Sequence, residues 1–510
     1  MGDMASLKKL LSDSVIYGLS SIVGRFLNYL LVPVYTYHIS AASGGYGVVT
    51  NVYAYTALLL VILTFGMETT FFYYANREER NTDGTEVNRS SYRRRVFSTA
   101  LGAVGAVCLL FVILVMVFIG PIAQGMGYPD HLEYIRAMAL VVALDSFQAI
   151  LFDRLRLDGR PWKFFALKMA FILLSVALTL FIFLVAPHWS HLPWMSWYDE
   201  ANNVKYIFYI NLFCTAIVTL GFFKELKDFQ LSAFNFQLLK QMLKYAWPLL
   251  LFGIVGIFNQ VADKILLPKL LPGEDGRVQL GIYGACVKIA MLMALITQAF
   301  RFAYEPFVFG GQKDKKSKET QAQATKYFVM FTLLAFLAVM CYIDVIQYFI
   351  GGDYREALPA VPIVMIAEIL MGIYFNLSFW YKLNGQTWWG AVMSTIGCVV
   401  LVAINIIFVP RIGYMACAWG GLAGYGVCVL LSYFIGQHKY PVPYNIKAIG
   451  GYFALALVLF FVTTFTSHIP QLWMRLTLNT LLLLVYSGVV LWNERAIFTP
   501  VVNKIRHRKP

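Results

Sequence analysis

Charge is scarce in this chain: only 13% of its 510 residues are charged while 59% are hydrophobic, and the mean hydropathy is +0.65. A soluble domain carries roughly twice that charged fraction, and one globular core cannot bury so much apolar surface. Long polar segments are also missing, none exceeding roughly twenty residues, so no extramembrane catalytic domain has room to fold. No GxxxxGK[ST] loop is present, which excludes a P-loop ATPase. The absence of HExxH, of GxSxG and of a clustered carboxylate pair in a loop leaves no metal or nucleophile for catalysis, so the chain is not expected to be an enzyme. The seven cysteines (Cys108, Cys214, Cys286, Cys341, Cys398, Cys417, Cys428) lie in apolar runs without a CxxC pair. They form neither a disulfide framework nor a zinc site and read as small core residues. His188 and His191 lack a third ligand, so no metal is assigned, and no cofactor is expected.

What the chain does have is apolar runs of about 20 residues, the length needed to cross a hydrocarbon core. Fourteen are counted, from 13–37 and 48–74 to 448–467 and 472–492, so the fold class is an all-α polytopic membrane protein. The net charge of +14 is explained by topology rather than by nucleic acid. Thirty of the 41 Lys and Arg residues fall in alternate loops and adjoining helix ends, seven on the opposite side, and four (Arg25, Lys264, Lys288, Arg301) within spans. The positive-inside rule then predicts that both termini are cytoplasmic, as are the arginine-rich loop 76–95 and the lysine-rich loop 312–321, while 187–204 lies outside. Lys8 and Lys9 precede a long run with Arg25 and Asn28, which reads as a first helix and not as a removable signal.

The chain is written twice. Residues 45–72 match 282–309 at an offset of 237 without a gap, with seven identities in 28 positions: Tyr46/Tyr283, Gly47/Gly284, Ala57/Ala294, Leu58/Leu295, Phe65/Phe302, Glu68/Glu305 and Phe72/Phe309. A second echo, LDGRPW (157–162) and LNGQTW (383–388), follows at an offset of 226. Each repeat contains an even number of helices, so the repeats are parallel, and the interface of such repeats is where a transporter keeps its substrate. The expected division is 1–239 (helices one to six), 240–436 (helices seven to twelve) and 437–510 (helices thirteen and fourteen with a basic tail).

A charge at mid-membrane costs about 2.5 to 3.5 kcal/mol on insertion scales and should face a cavity or a partner. Arg25, Asp145 and Glu368 are placed near the middle by residue count, and Lys288 in the outer half. For these four a cavity role competes with private pairing. Asp263 and Lys264 suit either an interfacial pair or a cavity, and Glu68, Arg301 and Glu305 lie where long side chains reach the interface. Arg25, Lys288, Arg301, Asp145, Glu368, Asp263, Glu68 and Glu305 are therefore the candidate site residues.

Fourteen helices, a first-helix arginine, and the segments YG…GMETTFF (46–72), IYGACVKIAMLMALITQAFRFAYEPF (282–307) and IYFNLSFWYKLNGQT (373–387) resemble the polysaccharide flippases of the multidrug, oligosaccharidyl-lipid and polysaccharide exporter superfamily. The resemblance covers nearly the whole chain. It implies two lobes in a V that alternate access and move undecaprenyl-pyrophosphate-linked oligosaccharide across a bacterial inner membrane. A guanidinium holds two phosphate oxygens and an ammonium supplies a point charge, so for such a cargo the resemblance implies Arg25, Lys288 and Arg301 as the candidate pyrophosphate ligands, Asp145, Glu368 and Asp263 for ion coupling, and Glu68 with Glu305 for a gate. It also implies membrane lipids as surroundings and polysaccharide polymerase and glycosyltransferases as partners. Flippases of the peptidoglycan precursor carry several first-helix arginines; the single Arg25 here points instead to a surface polysaccharide, O-antigen or exopolysaccharide repeat unit. The alternative within the same fold is a cation-coupled multidrug exporter, which would want an acidic cavity.

Overall fold

The computed structural model describes residues 29–76, 89–200, 202–271, 273–310 and 315–495, together with Val23 and Phe26. Among these residues there is no strand, and twelve helices are long and apolar enough to cross a membrane. A shorter apolar helix, Val204–Leu220, occupies the sixth expected span, and the first expected span lies largely outside the described residues. The chain is an all-α, multi-pass membrane protein, because in hydrocarbon a backbone must satisfy its own hydrogen bonds and helices do so within one segment.

The two sequence echoes correspond to local structure. In the second, Gly159 and Gly385 have φ of +63° and +68°, where a side chain would be strained. The Arg160 N–H donates to Leu155 O at 2.9 Å, and the Gln386 N–H donates to Tyr381 O at 2.8 Å, the same glycine-dependent helix end in both copies. In the first echo, Gly47 lies against the backbone of Arg277, and a Cβ on Gly284 would come within 2.9 Å of Thr50 Oγ1. The repeated glycines thus meet at one crossing, between the Gly45–Thr64 helix and the Asp275–Gly310 helix. Small residues allow two membrane helices to approach closely, and that approach replaces the hydrophobic driving force that lipid does not provide.

The echo fails at one place. The second span breaks after Thr64: Phe65 (φ +52°) and Gly66 (φ +67°) are both left-handed, and a separate helix, Met67–Ala75, follows. The counterpart helix Asp275–Gly310 runs through Phe302 and Ala303 without a break. Gly66 explains the difference, since its Cα faces Leu249 and Ala246 at distances that would crowd a Cβ.

Two compact units are present, Met1–Ala285 with Asn405–Tyr414, and Cys286–Ile404 with Met415–Pro510. They group helices by packing, whereas the expected division at 239/240 and 436/437 follows the two sequence echoes. In the first unit, Met67 and Phe71 pack with Phe97 and Leu101, with Ile150 and Leu155, and with Met242 and Ala246. There Asn51, 2% exposed, ties two helices and the segment after Met126 together: its Nδ2 donates to Lys264 O at 2.7 Å and its Oδ1 accepts from Tyr128 Oη at 2.9 Å. In the second unit, the Lys315–Cys341 helix packs against Val361–Leu377, Ile446–Thr466 and Leu472–Asn493. The last helix is fixed there by polar contacts: Asn479 Nδ2 donates to Cys341 O at 2.9 Å, and Lys326 pairs with Glu494, just past the helix end, at 2.7 Å.

Two outcomes are expected in detergent-solubilised protein. Gly47→Ala forces the two crossing helices apart, an overpacking that costs about 1–3 kcal/mol, and thermal unfolding should show it. Asn51→Ala leaves the buried Tyr128 hydroxyl without its acceptor and should cost about 1–3 kcal/mol, while Tyr128→Phe on the Asn51→Ala background should cost less than Tyr128→Phe alone.

Candidate functional site

The first unit contains a group of charges on three helices. Glu68 stands in the first turn of Met67–Ala75, where the helix dipole favours an anion, and is solvent-accessible. Asp145 and Asp153 stand on Leu132–Leu157, whose neighbours include Met67–Ala75 and Pro161–Leu180. Asp145 is half-buried and accepts a long hydrogen bond of 3.4 Å from Thr215 Oγ1. That hydroxyl also lies 3.3 Å from Asn211 Oδ1, and Asn211 Nδ2 donates to Tyr53 Oη at 2.8 Å. Asp153 is buried, with Oδ1 accepting from Arg156 Nη1 at 3.3 Å. The Arg156 guanidinium lies over the Phe72 ring, 5.1 Å from its centroid. Lys168, half-buried on Pro161–Leu180, places its ammonium 4.0 Å from the centroid of Phe152 and within electrostatic reach of Asp145, Glu68 and Asp153.

Of the sequence-predicted residues, the structure therefore brings Glu68 and Asp145 into one electrostatic group. Asp263 is elsewhere in the same unit: Lys264 Nζ lies 3.0 Å from its Oδ1, and Tyr283 Oη donates to its Oδ2 at 3.2 Å. Its side chain is 13% exposed, so both of the carboxylate oxygens are already held in a largely dry place. In the second unit, Lys288 and Arg301 are both half-buried on the Asp275–Gly310 helix. They are 13 residues apart, which is about 20 Å along the axis, so one pyrophosphate cannot touch both at once. The Arg301 guanidinium covers the Phe375 ring at 4.3 Å. Glu368 is half-buried on Val361–Leu377. Glu305 continues the helix one turn beyond Arg301, and its side chain lies outside the described residues, as does Arg25 altogether.

Sequence reasoning passed over Lys168, Asp153 and Glu225. Lys168 lies inside the expected span 164–186, and counting it with the adjoining loop hides it. Its signal was a lysine well within an apolar run. Asp153 sits in DRLRLDGR, where one acid among arginines reads as an interfacial residue. Glu225, 2% exposed, takes Arg160 Nη1 at 3.2 Å and also Lys163, a clamp between the short Phe223–Leu226 helix and the start of Pro161–Leu180 that no local pattern announces. Among the described residues no three His, Cys, Asp or Glu side chains are grouped to hold a metal ion. A groove of about 620 Å³ near Lys205, Tyr206, Tyr209 and Phe213 contains none of the candidate residues.

Known proteins provide the comparison. A lipid II flippase, MurJ, in an inward closed conformation superposes with a TM-score of 0.68 at 14% identity, covering 94% of this chain and 99% of its own. A multidrug resistance MATE transporter of the MOP superfamily, inward-facing, gives 0.57 at 16% identity over 86% of this chain and 96% of its own. The MATE multidrug transporter DinF-BH gives 0.58 at 15% identity over 87% of this chain and 98% of its own. These likenesses show a shared fold, and all three neighbours are a flippase or transporters rather than enzymes. A protein of the Lsg locus of Haemophilus influenzae is 22% identical over 425 residues, 79% of this chain and 94% of its own. The family model for polysaccharide biosynthesis proteins matches residues 43–359, more than half of the sequence. The chain therefore belongs to the polysaccharide biosynthesis protein family.

Proposed function

We propose that the chain is a flippase carrying undecaprenyl-pyrophosphate-linked oligosaccharide, the repeat unit of a surface polysaccharide, O-antigen or exopolysaccharide, across the bacterial inner membrane by ion-coupled alternating access. The observation that carries this reading is the family match over 43–359. The fold shared with a lipid II flippase supports it. The repeat halves, 1–239 and 240–436, would move relative to each other, with both termini cytoplasmic and polymerase and glycosyltransferases as partners.

The distribution of charge between the repeats supports an anionic cargo. At the offset of 237, Lys288 corresponds to Asn51 and Arg301 to Thr64. In the first copy these positions are neutral and engaged in packing, Asn51 with Lys264 O and Thr64 Oγ1 donating to Val61 O at 3.3 Å. The helix therefore folds without cations at these points, and the second copy carries them at the cost that a charge incurs in a low-dielectric region. A pyrophosphate with about two negative charges needs such compensation to cross. Because Lys288 and Arg301 lie about 20 Å apart, they serve successive depths, with Arg25 as the bidentate ligand. Asp145, Glu368 and Asp263 are assigned to ion coupling, and Glu68 and Glu305 to the gate. The second reading is a cation-coupled multidrug exporter, which the MATE neighbours favour. Cations at Lys288 and Arg301 disfavour it, since they would repel cationic drugs.

Deleting the gene should accumulate lipid-linked oligosaccharide on the inner leaflet; drug sensitivity with normal surface polysaccharide would select the exporter instead. In complementation at native expression, Arg25→Ala should lower surface polysaccharide by about tenfold or more with insertion unchanged, Arg25→Lys should retain part of the activity, and Lys288→Ala should be milder. Full complementation by Arg25→Ala would remove Arg25 from the site. A cysteine introduced at position 84 should resist labelling from outside intact cells, and one placed in 187–204 should react.

A further inference from the structure

We propose that the groove along the Val204–Leu220 helix binds one membrane lipid of the phosphatidylethanolamine type, with an acyl chain in the groove and the zwitterionic headgroup on Lys205 and Asp199. The inference does not depend on the flippase reading, except that the proposed topology puts the site in the outer leaflet. The groove has a volume of about 620 Å³. Its floor is formed by the buried Ile182, Tyr206 and Ile210, and Trp197, Tyr209 and Phe213, 43–53% exposed, stand at its sides. Lys205, Tyr209 and Phe213 recur at every fourth residue and so share one helix face. They mark a track about 12 Å long, with an ammonium at one end and a phenyl ring at the other. Ile182 belongs to the π-turn Phe181–Val185, an irregularity that recurs at functional sites. Tyr and Trp beside the charged end suit the level of lipid headgroups.

The mouth of the groove is held in place by its own hydrogen bonds. The Tyr206 hydroxyl accepts from the Asp199 N–H at 2.7 Å and donates to Trp197 O at 3.1 Å, which ties residues 197–199 to the first turns of the helix. The rings of Tyr198 and Tyr206 stack with centroids 5.6 Å apart. Asp199 Oδ2 then lies 3.0 Å from Lys205 Nζ. The Lys205 side chain is 19% exposed and that of Asp199 48%, so the cation is sunk in the mouth and the carboxylate stands at its rim. Glu200 follows and is exposed. Two carboxylates therefore accompany one ammonium, and a purely anionic headgroup would meet an excess of its own charge. Phosphoethanolamine carries both signs: its phosphodiester takes Lys205, and its primary ammonium donates to Asp199 in a charge-assisted hydrogen bond. Phosphatidylcholine has no N–H to donate, and phosphatidylglycerol has no cation.

The test titrates phosphatidylethanolamine, phosphatidylcholine or phosphatidylglycerol of identical acyl chains into the delipidated full chain in detergent. It reads the thermal unfolding midpoint, which a lipid bound only by the folded state raises. Phosphatidylethanolamine should act at roughly tenfold lower concentration than the other two, the worth of one hydrogen bond to a charged group. Asp199→Asn should abolish that preference. Phe213→Trp, which fills the groove without touching the mouth, should weaken phosphatidylethanolamine about tenfold, whereas Leu109→Trp, at an exposed apolar position of the Arg89–Val117 helix, should behave as wild type. The proposal is overturned if the three lipids act alike on the wild type, if Asp199→Asn keeps the preference, or if Phe213→Trp has no more effect than Leu109→Trp. It is equally overturned if undecaprenyl phosphate displaces phosphatidylethanolamine at lower concentration than phosphatidylethanolamine itself binds, since the groove would then belong to the cargo. No transport is measured, so failure here leaves the flippase reading standing.

Discussion

The constraint on which this structure depends is the cost of an uncompensated charge in a low-dielectric slab. A buried ion pair gives little net stability, but removing one partner is expensive, because the remaining charge then has neither water nor a counter-ion. The chain meets this constraint in different ways. Asp263 is held by Lys264 and by the Tyr283 hydroxyl, and Glu225 by two cations. Asp153 takes Arg156 at its Oδ1, and its Oδ2 has no hydrogen-bond partner among the described residues.

Much of the architecture was legible because it depends on quantities that a sequence carries directly. Span length sets where helices run, and the seventeen residues of Val204–Leu220 were still apolar enough to be found. Glycine marks both repeats, at Gly47 and Gly284 because two helices cross there and at Gly159 and Gly385 because a left-handed helix end needs it. The break at Phe65 and Gly66 was not legible, since the apolar pattern continues across it and only the approach of Leu249 fixes it. Depth could be counted for Asp145, but its neighbours could not. Thr215 comes from a helix distant in sequence and Lys168 from the next helix along, and partner choice is a tertiary property. The same limit hides the Tyr283 hydroxyl that donates to Asp263.

The two copies of the repeated helix have diverged in complementary ways. In the first, the polar side chains at positions 51 and 64 are neutral and the helix is interrupted just before Glu68. In the second, the helix is continuous and carries Lys288 and Arg301 at the equivalent positions. An aromatic residue in the left-handed region is strained, and it persists only where packing over-determines it. Phe65 has such packing, its ring 6.1 Å from that of Trp247, with Gly66 against Leu249 behind it. A strained joint held by packing is the kind of element that has two arrangements rather than a continuum. The short helix beyond the joint carries Glu68, and a ligand shifts the equilibrium of such an element only through its differential affinity for the two states.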